Sequence, residues 1–170
     1  MIDLFAHLPT ERNPMNPLRI GVIGAGGITA LLHLPEIADC RDMKVVLVSG
    51  RKESRLRRLC DQFDIPNWTQ DYEEVIADDN VDAVVIATPH PLHVSWGIKA
   101  IEAGKHVLMQ KPLCGDMAEA NTFVAEAEKT GKTVLCMPHF SPQVYALRER
   151  CLSGEIGKIS GARCRTSHGG

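Results

Sequence analysis

Arg19-Ile20-Gly21-Val22-Ile23-Gly24-Ala25-Gly26-Gly27-Ile28-Thr29 decides the fold of this chain. Leu18 to Ile23 is an apolar run that reads as a buried strand. It feeds straight into glycines at 24, 26 and 27, and an apolar-periodic segment follows, with Ile28, Leu31, Leu32, Ile37 and Ala38 as its stripe. A strand, a turn almost without side chains and a helix let a pyrophosphate reach backbone N–H groups and the positive end of the helix. The stretch therefore predicts a dinucleotide-binding domain. Its third small position is Thr29, where close helix–strand packing ordinarily takes Gly or Ala. Pro35 falls inside the stripe and predicts a kink or early break near Leu34.

Outward from the turn, strands and helices alternate. Residues 44–48 read as a second β-branched strand. Residues 53–63 read as a charged helix with Leu56, Leu59, Cys60 and Phe63 on one face, and 71–77 as a short helix. The near-continuous apolar run 81–87 is what a parallel strand covered on both faces looks like. Helices over 93–103 and 117–130 each end in a Gly-Lys turn, at Gly104-Lys105 and Gly131-Lys132, which leads into strands at 106–109 and 133–137. A last helix is predicted over 143–152 and a last strand over 157–165, which is expected to be disordered here or to pair with another copy. The fold class is α/β, a doubly wound parallel sheet with right-handed crossovers. Residues 1–17 read as a loosely ordered leader, 18–140 as the nucleotide-binding domain, and 141–170 as the opening of a second α/β domain.

Composition narrows the function. With 170 residues, 44% hydrophobic and 24% charged, the chain has the balance of a soluble domain with a sizeable core. A net charge of −2 and 5% aromatic residues give no electrostatic or stacking basis for nucleic acid. No window approaches the roughly 18 apolar residues of a membrane span, and the N-terminus lacks the pattern of a signal peptide. A cytoplasmic location is expected. The six cysteines (40, 60, 114, 136, 151, 164) show no C-x-x-C and are expected to be reduced and mostly buried. The histidines show no metal-ligand spacing.

Four segments carry the chemistry. Gly24, Gly26, Gly27 and Ile28 are expected to hold a pyrophosphate through their backbone. At the end of the second strand, Ser49-Gly50-Arg51-Lys52 lacks the carboxylate that accepts from a ribose 2′-hydroxyl in NAD-selective domains. Two cations and a hydroxyl suit a 2′-phosphate instead, which favours NADP(H) over NAD(H). Past the run 81–87, Thr88, Pro89, His90 and His93 form a proline-fixed loop where α/β sheets bind ligands. His90 or His93 is expected to be held there facing the cofactor, His93 being preferred. Past 106–109, Gln110-Lys111-Pro112 places a lysine able to donate to a substrate oxygen or to move a proton.

Together these segments resemble the nucleotide-binding half of the glucose–fructose oxidoreductase / inositol dehydrogenase / rhizopine-catabolism (Gfo/Idh/MocA) superfamily. The matching strings are GVIGAGGI followed by HLPEI, then VDAVVIATPHPLH, EAGKHVLMQKPLC and LRERCLSGEIGKI. The resemblance implies an NAD(P)-dependent oxidoreductase of sugars, inositols or related polyols, with a Rossmann domain followed by a second α/β domain. Members usually form homo-oligomers through that second domain. The resemblance puts the E-K-P lysine on Lys111, near nicotinamide and substrate, as the catalytic residue. It puts the T-P-x-x-x-H histidine on His93, with Thr88, Pro89 and Gln110 on the nicotinamide side. Two residues depart from the pattern: Gln110 replaces the E-K-P glutamate and His90 the usual asparagine of A-T-P-N. The family's D-x-x-x-H region would lie beyond Gly170. The 170 residues alone are therefore expected to bind cofactor and to turn over poorly. The alternative is a non-catalytic NAD(P)-binding sensor or regulatory protein of the same fold.

Overall fold

The computed structural model describes residues 16–137, 142–161 and 163, without the side chains of 142 and 143. It divides at Met137 into two compact units. Within the first unit, six parallel strands run β1 (Leu18–Ile23), β2 (Met43–Ser49), β3 (Asn67–Thr69), β4 (Ala83–Ile86), β5 (His106–Met109) and β6 (Val134–Cys136). Their order across the sheet is β3-β2-β1-β4-β5-β6. The chain steps outward one way from β1 and then returns to continue on its other side. That reversal between β1 and β4 opens a crevice at the carboxyl ends of the strands.

The helices between the strands are α1 (Leu34–Ala38), α2 (Glu53–Phe63), α3 (Tyr72–Ala77), α4 (His93–Glu102) and α5 (Met117–Thr130). They cover the sheet on both faces. Ile23, Val84, Ile86, Val107 and Met109 point into one apolar layer with Val75, Ala100, Ile101 and Phe123. Ile20, Val22, Val48, Ala83 and Val85 point into the other with Leu34, Ile37, Leu56 and Leu59. Alternate residues of β1 and β4 thus feed opposite layers, as the period of two along a strand requires. This is why 81–87 reads as continuously apolar.

Several expectations are corrected. The strand β3 is missing from the sequence reading: three residues at the edge of a sheet give too short a pattern to register. Of the kink or early break expected near Leu34, there is no break: the helical segment changes type at Leu34 and runs on through Pro35 to Ala38. A π-helical turn, Thr29–His33, precedes α1, and the Leu34 N–H donates to the Thr29 carbonyl. The widened turn sits just before a proline whose ring would otherwise crowd the carbonyl four residues back. It also turns the helix on its axis. The buried face holds Thr29, His33, Leu34 and Ile37, while Leu31, expected in the stripe, is 83% exposed. None of the five described cysteines is fully buried, and all carry free thiols.

The second unit holds α6 (Pro142–Leu152), followed by a turn in which Gly154 and Gly157 take positive φ. Residues 157–161 form no strand, contrary to the expectation for 157–165; residues 162 and 164–165 lie outside the described residues. Residues 1–15, nearly all of the expected leader, lie outside them too.

Candidate cofactor site

The crevice is built from the ends of β1, β2 and β4. Gly24 has φ +106°, and a Cβ there would lie 2.6 Å from the carbonyl oxygen of Ala87. Only glycine fits between the two strand ends. The Gly24 and Ala25 N–H groups donate to the Ser49 carbonyl at 3.0 and 2.9 Å, which pins the turn to the end of β2. Gly50 packs closely as well, since a Cβ there would meet the Ala25 methyl at 2.8 Å. At Gly26 and Gly27 the reverse holds: a Cβ would have nothing within 4 Å. The first N–H groups of the following helix open into this space, and such groups have no partner inside the helix. Thr29 closes the turn from below. Its buried hydroxyl donates to the Gly24 carbonyl at 2.5 Å. The third small position is therefore a threonine that bonds the turn it packs against.

Around the glycine turn lies a cleft of about 420 Å³, lined by residues 24–28, Gly50, Arg51, Lys52, Arg55, Tyr72, Ala87, Thr88 and Pro89. Of the three residues expected at a 2′-phosphate, Arg51 and Lys52 line the cleft, as does Gly50 between them and Ser49. Ser49 does not bring its hydroxyl there. Its side chain is fully buried and donates to the Val22 carbonyl at 2.9 Å. The alternation along β2 turns Ser49 inward, so its work is to tie β2 to β1. Sequence reasoning missed Arg55. It lies one helical turn beyond Arg51, at i+4, and its Nη1 reaches the Ala25 carbonyl at 3.4 Å. The nearby Glu53 carboxylate is engaged by Arg57, whose Nε lies 2.8 Å away. Arg51 and Lys52 are exposed, and neither has a carboxylate partner among the described residues.

On the β4 side, Thr88 Oγ1 is buried and has no hydrogen-bond partner among the described residues. A buried hydroxyl left so is costly unless a ligand completes it. The empty space over Gly26 and Gly27, the cations of the cleft and this hydroxyl together fit a bound dinucleotide.

The expectation that His93 faces the cofactor is not what the structure shows. Its ring is fully buried, with Nδ1 2.7 Å from the Pro112 carbonyl oxygen and Nε2 2.8 Å from that of Thr88. Carbonyls only accept, so a neutral ring donates to one of them and an imidazolium to both. His93 braces the loop after β4 against the loop after β5. Gln110 is also buried, with Oε1 accepting from the Lys111 N–H at 2.7 Å. Its Nε2 lies 3.3 Å from Nε2 of His33. Lys111 is exposed, and its ammonium has no acceptor among the described residues. His90 is exposed in the short 3-10 turn His90–Leu92.

A cleft of this construction, at the reversal point of a parallel sheet, defines a dinucleotide-binding Rossmann domain. Residues 18–137 match the family described as "Oxidoreductase family, NAD-binding Rossmann fold" (GFO_IDH_MocA). This chain belongs to that family of oxidoreductases, and the domain binds NAD(P). Among its relatives, trans-1,2-dihydrobenzene-1,2-diol dehydrogenase of Mus musculus is 35% identical over 153 residues, which are 86% of this chain and 45% of that protein. D-xylose 1-dehydrogenase (NADP(+)) 2 of Haloferax volcanii is 30% identical over 145 residues, 84% of this chain and 44% of that one. The crystal structure of a 3-ketoreductase from Actinomadura kijaniata, in complex with TDP-benzene and NADP, superposes with a TM-score of 0.76 at 32% identity. It covers 85% of this chain and 46% of that one. The chain thus spans less than half the length of the relatives it matches. No described helix is long and apolar enough to cross a membrane.

Proposed function

We propose that this chain is the cofactor half of an NADP(H)-preferring oxidoreductase that acts on a sugar, inositol or related polyol. One observation carries the preference: Arg51, Lys52 and Arg55 line the cleft where β2 ends, while the nearby carboxylate, Glu53, is engaged by Arg57. A ribose 2′-hydroxyl finds no carboxylate in that lining, whereas a 2′-phosphate finds three cations. The relatives bound to NADP or named for it support the same reading.

Gly27 and Ile28 cradle the pyrophosphate on their N–H groups, the Gly24 and Gly26 N–H groups being spent on the Ser49 and Gly24 carbonyls, and the Thr88 hydroxyl hydrogen-bonds the nicotinamide half. The nicotinamide supplies or accepts the hydride when bound. The Lys111 ammonium donates to the oxygen on the reacting carbon. In the reductive direction it stabilises the charge that gathers there, and in the oxidative direction it orients the hydroxyl. Gln110 and His93 touch no substrate; they hold the backbone on either side of Lys111.

The test is a pair of binding titrations on the 170-residue chain. NADPH is expected to bind at least about tenfold more tightly than NADH, the scale of one charge-assisted bond. Arg51→Ala is expected to remove most of that difference while leaving NADH affinity within a factor of about two. Equal affinity of the unaltered chain for both cofactors would overturn the preference.

A further inference from the structure

His33 lies in the π-helical turn that leads into α1, and Gln110 lies just past β5, 77 positions away. Both are buried, at 2% and 7% exposure. The two hydrogen bonds of the Gln110 amide fix more than a contact. A backbone N–H can only donate, so the Gln110 atom 2.7 Å from the Lys111 nitrogen is the amide oxygen. The amide nitrogen is thereby turned to His33 Nε2, 3.3 Å away. An amide –NH₂ also only donates. His33 Nε2 must then present a lone pair, which leaves the ring neutral with its proton on Nδ1.

We propose that Gln110 and His33 form a positioning pair. Gln110 holds His33 in the neutral, Nδ1-protonated form, and through that bond the helix leaving the glycine turn is tied to the backbone of Lys111. One end of the pair belongs to the element that receives a pyrophosphate, and the other carries the lysine loop. The pair couples the two halves of one cleft across the strand ends. A glutamate at 110, with the same backbone bond, would turn its second oxygen to Nε2 and would demand an N–H there. The residue at 110 therefore selects the tautomer of His33. With glutamine the bridge beneath Lys111 is uncharged.

The importance of this coupling for turnover rests on the proposed role of Lys111, but the tautomer does not. Nitrogen-15 spectra of the histidine rings in the 170-residue chain, assigned with a His33→Gln control, test it directly. His33 Nε2 is expected to show the shift of an unprotonated ring nitrogen, and Gln110→Glu is expected to move it to that of a protonated one. A protonated Nε2 in the unaltered chain, or a ring indifferent to Gln110→Glu, would overturn the proposal. The coupling is read from NADPH titrations. Gln110→Ala and His33→Ala are each expected to weaken binding on the order of fivefold, and the double variant no further than either alone. Full additivity would overturn the coupling. Absence of NADPH binding by the unaltered chain would instead sink the cofactor reading and leave the ring spectra to decide the pair.

Discussion

The two ends of the parallel sheet treat charge in opposite ways. At the amino ends of the strands, Arg19, Asp82 and Lys105 are spent on structure. Arg19, the second residue of β1, makes a bidentate pair with Asp82 just before β4, with Nη2–Oδ1 at 2.7 Å and Nε–Oδ2 at 3.0 Å. The Arg19 N–H donates to the same carboxylate at 2.9 Å. Lys105, just before β5 and 8% exposed, donates to the Asp78 and Val81 carbonyls, both at 2.8 Å. At the carboxyl ends, Arg51, Lys52 and Lys111 have no acidic partner among the described residues, and the Thr88 hydroxyl is buried without a bond. The buried Thr88 hydroxyl without a bond, beside cations without acidic partners and a glycine turn, marks the carboxyl end as the binding site.

Substitutions at the two ends test the contrast, and the largest effect is expected at Gly24. A side chain there combines a positive φ with a Cβ 2.6 Å from a carbonyl oxygen. Gly24→Ala is expected to destabilise the domain by about 2–4 kcal/mol and to abolish cofactor binding, read by thermal unfolding and NADPH titration. Next comes Lys105→Met at the opposite end, which strips the buried Val81 carbonyl of its donor and leaves the Asp78 carbonyl with the Val81 N–H alone. A loss of about 2 kcal/mol is expected, with NADPH affinity of the folded protein unchanged. Weakened NADPH binding in this variant would break the separation between the two ends.

Thr88→Val should reverse that pattern. It removes an unsatisfied hydroxyl, so stability without cofactor is expected to hold or rise slightly. NADPH affinity should fall by roughly fivefold, as for one lost neutral hydrogen bond. A fall in stability together with unchanged affinity would show that the hydroxyl is structural.

The smallest effect belongs to Arg19–Asp82. The hydrogen bond from Arg19 holds the Asp82 carboxyl below the usual carboxylate range. The stabilisation this pair provides is therefore complete above the unfolded-state value of about 3.9 and is lost as pH falls through the lower folded-state value. Asp82→Asn is expected to flatten that acid limb in denaturant titrations from pH 5 downward. The magnitude is modest, because both side chains remain one-third exposed.

Much of the framework was legible before the structure. Strong periodicity and clear ends gave β1, α2, β5 and α5 with the bounds the structure shows. The glycine turn gave the cofactor cleft, because glycines at 24, 26 and 27 in that setting have few other uses. What was illegible has common causes. A three-residue edge strand carries too little pattern, so β3 was missed. A π-turn shifts a helical stripe by one residue, so Leu31 was expected inside and His33 was not. Thr29 and His33 stand at i, i+4 on the buried face, and two polar residues so spaced in an otherwise apolar helix were the available signal for that face. The direction of the Ser49 hydroxyl depended on the register of β2 against β1, with its irregularity at Ile20/Gly21, which no local motif encodes.

The sequence by itself determined the parallel α/β fold, the position of the cofactor turn and the absence of an acid at the end of β2. Those follow from local periodicity, from glycine's unique backbone freedom and from which residue types stand at one turn. Only the tertiary structure decided which of the candidate side chains face the cleft. Ser49 and His93 turned inward to bond carbonyls of neighbouring strands and loops, Arg55 came in from the next helical turn, and His33 met Gln110 from 77 positions away. The physical reason is the same in each case. A buried polar group must find a partner, and the sheet, by bringing distant segments together, determines which partner that is.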